Sequence, residues 1–258
     1  MNFKTFFLLA ISAVAISLTS TANAQGIKVL YLMPNEAGLA QDTLKDLLGG
    51  DSRFDLSNSA LRDDLPSVEE MLKYDVVLAT ADHSPIEGSG DRYADYVDAG
   101  GRIAMSTFIG QYSALGMFGG RINDSGYNPL TGPEYNAYQS VSLGKFNENH
   151  EIMKGVKELK SSSYNADWTG VDKGADVVAY WDNGSPLVAV NEKKNVANIT
   201  LYPNVANFQH AEGNYRELFS NTLAYIAGEP STQPVPEPAS MAILGMGAMA
   251  LLRRRKKA

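Results

Sequence analysis

The residues that could do chemistry in this chain are few and scattered. Cysteine is absent, which removes thiolate catalysis, sulfur-ligated zinc and structural disulfides together. Three histidines remain. His210 stands in Phe208-Gln209-His210-Ala211-Glu212, a base with a carboxylate two positions on, and Ser106 and Thr107 close an apolar run. A hydroxyl nucleophile, His210 as its base and Glu212 orienting the imidazole would be the parts of an acyl-transfer triad. Asp82 and His83 follow the apolar run Val76 to Ala81, which puts them at the carboxyl edge of a sheet, where open α/β folds bind ligands. Together with His210 or Glu212 they could ligate a metal, but no closely spaced histidine pair is present, so the expectation is no metal and no cofactor. A binding surface has one further source. Tyr112, Tyr127, Tyr135 and Tyr138 share a stretch with Asn123, Asn128 and Asn136. Aromatic faces stack on sugar C–H groups and amides bond the hydroxyls; the same tyrosines could equally pack a loop onto a sheet.

The elements that must hold these residues alternate between strand and helix. Ile27 to Met33 reads as a buried strand, Leu39 to Leu48 as a helix stopped by Gly49-Gly50, and Phe54 to Leu56 as a short strand. Ser67 and Glu70 form a capping box ahead of Met71 and Leu72. Tyr74 to Ala81 is apolar on both faces, the pattern of a parallel strand. A helix from Asp91 to Ala99, closed by Gly100-Gly101, leads to a strand at 102–107. Residues 110–140, rich in glycine, break the rhythm and read as a long surface insertion shaping a site. Strands follow at 140–143, 176–181, 187–190 and 196–202, with a hairpin turn at Asp182-Asn183-Gly184, and Tyr215 to Ala227 is a closing helix. This succession predicts an α/β domain with a mostly parallel sheet covered by helices on both faces, its first three parallel strands adjacent or nearly so.

The two ends carry addresses. Lys4, the apolar Phe6 to Leu18 and the small-residue site Ala22-Asn23-Ala24 make residues 1–24 a signal peptide. Residues 25–228 form the body, 229–235 a Pro-rich linker, and 236–258 a tail of three parts. These are Pro236-Glu237-Pro238-Ala239-Ser240, the apolar Met241 to Leu252, and the cations Arg253 to Lys257. The apolar run is shorter than the roughly 20 residues that span a bilayer, which predicts a transient anchor at the inner membrane with its basic end in the cytoplasm. The chain has a formal charge of −7; without Lys4, the five tail cations and Glu237 the body keeps 16 basic and 28 acidic residues, or −12. That surface argues against nucleic acid and anionic lipid as partners.

The tail resembles the PEP-CTERM sorting signal of Gram-negative bacteria, with Val235 to Ser240 matching its motif. The resemblance implies recognition by an exosortase through Pro236, Glu237 and Pro238, loss of the tail, and delivery to the cell surface or extracellular matrix. The body resembles the class I glutamine amidotransferase-like superfamily, a flavodoxin-like fold that includes trehalose-utilisation-type domains. Three blocks carry the likeness: Tyr74 to Leu78 with Asp95 to Met105, Phe208 to Glu212 with Leu218 to Ile226, and, more faintly, His150 to Val156. Active members place a cysteine at an elbow after the fourth strand, and here that position falls on Phe108. The resemblance therefore implies a pseudoenzyme that binds or builds in the cell envelope or extracellular polysaccharide. The alternative is a hydrolase of a glycan or small amide that uses a rearranged site around His210, with Ser106, Thr107 or Ser113 as the hydroxyl.

Overall fold

The apolar run from Ile27 to Met33 contains β1 (Val29–Leu32), with every residue buried. In the computed structural model the described residues are 26–33, 37–80, 86, 88–107, 118–137, 140–203 and 209–228, with backbone only for 37–41 and 135–137. Helix α1 (Ala37–Leu48) ends where the Gly49 N–H turns back to the Lys45 carbonyl at 2.8 Å. The strand expected at 54–56 is a single parallel bridge between Phe54 and Ile27, and β2 (Ala60–Arg62) forms later. The Asp55 carboxylate causes the delay: it accepts from Ser57 and Asn58 side chains at 2.6 Å each and curls the chain into a turn first. Helix α2 (Val68–Met71) starts at the capping box of Ser67 and Glu70. It leads to β3 (Val76–Ala79), α3 (Ser89–Asp98) and β4 (Ile103–Ser106).

Contrary to expectation, residues 110–140 are not one long loop. They contain β5 (Leu130–Ala137). After it come β6 (Val141–Phe146), β7 (Leu159–Ser161), β8 (Asn165–Val171), β9 (Asp176–Trp181), β10 (Pro186–Val190), β11 (Val196–Ile199), β12 (Ala211–Gly213) and α4 (Tyr215–Ala227). Strands β5 and β8 pair antiparallel as a separate ribbon, from Leu130 opposite Val171 to Ala137 opposite Asn165. The ribbon is tied to the main sheet by an Asn165–Leu201 bridge and by Tyr202 N–H donating to the Tyr164 carbonyl at 2.9 Å.

The main sheet has ten strands in the order β12-β7-β6-β9-β10-β11-β4-β3-β1-β2. β2, β1, β3, β4 and β11 run parallel, and β4, β3 and β1 are neighbours as the βαβ units predict. From β10 to β12 each strand is antiparallel to the last. Helix α1 packs with α4 and α2 with α3, covering the parallel half of this mixed, flavodoxin-like α/β sheet. A parallel sheet buried on both faces calls for near-continuous apolar runs, and β3, β4 and β11 are buried throughout, Ser106 and Asn198 being their polar exceptions. The segment after residue 118 is clamped onto α3. Arg121 pairs with Asp95 and Asp98, and its N–H donates to the Asp91 carboxylate at 2.9 Å. Gly90 lets this segment approach, since a Cβ there would stand 2.1 Å from the Gly119 carbonyl oxygen.

Candidate functional site

The carboxyl edge of the parallel half is where such a fold would carry a site. β4 ends there in Ser106 and Thr107, both fully buried. β11 runs past it into Leu201, Tyr202 and Pro203. Ser106 is paired with Ile199 in the ladder, and its hydroxyl donates to the Leu201 carbonyl at 2.6 Å. The proton a base would remove is thus already bonded to backbone. Thr107 differs: its Oγ1 is buried with no hydrogen-bond partner among the described residues.

His210 lies just before β12, with 4% of its surface exposed. Its backbone carbonyl accepts from the Ser162 N–H at 2.8 Å, which fixes it to the end of β7. The ring packs against Tyr164 (centroids 5.2 Å apart) and Tyr202 (6.1 Å). Burial among these rings pushes its pKa below the ordinary histidine value, against the carbonyls of Ser163, Pro203 and Tyr202, which favour the cation. A buried neutral imidazole could act as a base, so its location decides more than its protonation. Glu212 does not orient it through a buried pair. It is an exposed residue of the edge strand β12, opposite Lys160 in the ladder.

Tyr164 is the residue that sequence reasoning missed. Its φ of 54° is left-handed, a conformation that costs a bulky side chain about a kcal/mol or more and persists only where packing imposes it. Its ring forms a triangle with those of His210 and Tyr202, the centroids 5.2 Å apart for Tyr164–His210 and 6.1 Å for the other two pairs. No local motif marks the cluster, because its three members come from β7–β8, β11 and the start of β12.

The other candidates scatter. Tyr127 is half-buried and its hydroxyl donates to Asp98 at 2.8 Å, so it fastens its segment to α3. Asn123 donates to the Phe118 carbonyl at 2.7 Å, and Asn128 is buried and accepts from Asn198 at 3.1 Å. Asp82, His83, Phe108, Tyr112, Ser113 and Tyr138 lie outside the described residues, as do Pro236, Glu237 and Pro238, and the side chains of Tyr135 and Asn136 are not described. Among the described residues no three His, Asp or Glu side chains converge as a metal site, and no helix is long and apolar enough to cross a membrane; the apolar tail is not among them.

Comparison with known proteins separates tail from body. Residues 234–256 match the PEP-CTERM protein-sorting motif. A search of curated proteins finds no match. Among solved structures the chain is similar to a ThuA-like protein from Bacteroides uniformis, with a TM-score of 0.59, 16% identity, and 82% of this chain and 95% of that one covered. It is also similar to a GMP synthase component from Thermoplasma acidophilum, with a TM-score of 0.53, 11% identity, and coverage of 79% and 96%. At such identities the likeness establishes fold alone. The chain thus carries a PEP-CTERM sorting motif at residues 234–256, and its body has the flavodoxin-like fold that the ThuA-like protein and the GMP synthase component share.

Proposed function

We propose that the protein is exported, processed through its tail by an exosortase-type enzyme after a transient stay at the inner membrane, and acts without catalysis at the cell surface. Its role there is to bind, or to help build, extracellular polysaccharide. The observation that carries the non-catalytic part is the Ser106 hydroxyl, committed to the Leu201 carbonyl at 2.6 Å. The exposed edge position of Glu212 supports the same reading, since a triad needs its carboxylate behind the imidazole. Tyr164, half-buried over the buried rings of Tyr202 and His210, supports a ligand with flat or C–H faces there.

One observation favours the second reading, a hydrolase: the buried Thr107 hydroxyl at the end of β4, which has no hydrogen-bond partner among the described residues. Purified protein assayed against glutamine, simple amides and esters separates the two. The binding reading expects no turnover above the rate without protein, together with retention of polysaccharide that falls in Tyr164→Ala. Turnover that disappears in both His210→Ala and Thr107→Ala would replace it with the hydrolase.

A further inference from the structure

His150 belongs to none of the chemistry above, and its surroundings are specific. It caps the 3-10 turn Glu151–Met153, its Nδ1 accepting the Ile152 N–H at 3.2 Å. An accepting Nδ1 leaves the ring proton on Nε2, which lies 3.9 Å from the Asp176 carboxylate at the start of β9. The ring rests on Tyr225 in the last turn of α4, with centroids 4.8 Å apart. Asn221, one turn earlier, fastens the same segment. Its amide donates to the carbonyls of Ile152 (3.1 Å) and Lys154 (2.7 Å), while its oxygen accepts from Arg53 at 2.8 Å. The 150–154 turn is thus held between α4 and β9 by contacts that include one imidazole required to be neutral.

We propose that His150 is a pH-operated latch: neutral, it caps the turn and holds it against the end of α4; protonated, it loses the cap and lets the turn go. The chemistry is a donor facing a donor. An imidazolium carries hydrogen on both nitrogens, so its Nδ1–H would oppose the Ile152 N–H. The charges around the ring are mixed. Asp176 on β9 and Glu151 in the turn favour the cation, while Lys194, which sits 5.8 Å from the centre of the Tyr225 ring, opposes it. Burial opposes it most, and the result is a pKa held below the ordinary value. The latch is therefore closed at neutral pH and opens as pH falls below the ordinary histidine range, about 6.5. Outside the cytoplasm, where the proposed export takes the protein, the surrounding pH is not held near neutral by the cell; the latch itself does not depend on what the carboxyl edge binds.

The test is amide hydrogen exchange on the full chain between pH 7.5 and 5, corrected for intrinsic exchange, in wild type and in His150→Asn. Asparagine caps as well as any residue and does not titrate in this range. Opening of residues 150–156 and 222–227 should rise several-fold on acidification in wild type and stay level in the variant. A level wild-type profile, or the same rise in both proteins, overturns the proposal. Should the variant not fold, nitrogen NMR of the wild-type ring decides alone: at pH 7.5 His150 must carry its proton on Nε2, and a proton found on Nδ1 overturns the latch.

Discussion

Replacing Ser106 by alanine tests whether that hydroxyl is structural. The side chain is fully buried, and its hydroxyl donates to the Leu201 carbonyl at 2.6 Å. Removing the donor leaves that oxygen buried without this partner, a cost of about 1–3 kcal/mol. The small cavity left by one oxygen atom adds little. For a body of this size each kcal/mol lowers Tm by about 2–4 °C, so the expected shift is about 2–12 °C downward. Thr107→Val is the control. The hydroxyl it removes is buried and has no partner among the described residues, so an isosteric methyl should leave stability unchanged or raise it by up to about 1 kcal/mol. Urea unfolding of the two variants, with equal slopes, reads both values directly. If Ser106→Ala leaves the midpoint where it was and Thr107→Val lowers it, the hydroxyl roles deduced from the carboxyl edge are reversed and the argument against a Ser106 nucleophile falls with them.

Gly90→Ala should destabilise by about 1–3 kcal/mol although alanine is the better helix former by about 1 kcal/mol, because the new Cβ would meet the Gly119 and Phe118 carbonyl oxygens at 2.1 and 2.4 Å; a raised urea midpoint would show that the segment after residue 118 does not sit on α3. Replacing Pro236, Glu237 and Pro238 by alanine should leave an unprocessed, membrane-retained form, visible as a larger band in the membrane fraction, and normal processing would mean that the tail is read by another route. Stability should also fall with acid. Burial lowers the folded pKa of His210, so the unfolded chain takes up a proton first, and the loss begins as pH drops through about 6.5 and continues down to the folded value. The slope is at most about 1.4 kcal/mol per pH unit for one histidine, it should shrink in His210→Gln, and a protein that grows more stable from pH 7 to 5 would contradict the sign.

What the sequence determined by itself are features that depend on neighbours along the chain. The capping box of Ser67 and Glu70, the turn at Gly184 and the full span of α4 are local, and each appears where the residue pattern puts it. The parallel half was legible for a related reason: continuous apolar runs such as Val76 to Ala79 can be buried only between two helix layers, and βαβ units of that length leave few arrangements. The tail motif is local too, and its match needs no fold at all. Tertiary structure alone decided the rest. β7 and β12 have three residues each, too few to show a period, and they exist because they pair with one another across the chain. β5 carries Gly132 and Pro133 and becomes a strand only against β8. The site followed the same rule. Ser106 and His210 carry the residue types of a triad, but what each can do was set by Leu201, Tyr164 and Tyr202, partners remote from Ser106 and in part from His210 that reach them only when β4, β11 and the ends of β7 and β12 come together. A side chain's type is written in the sequence; its hydrogen-bond partner and its exposure to water belong to the fold.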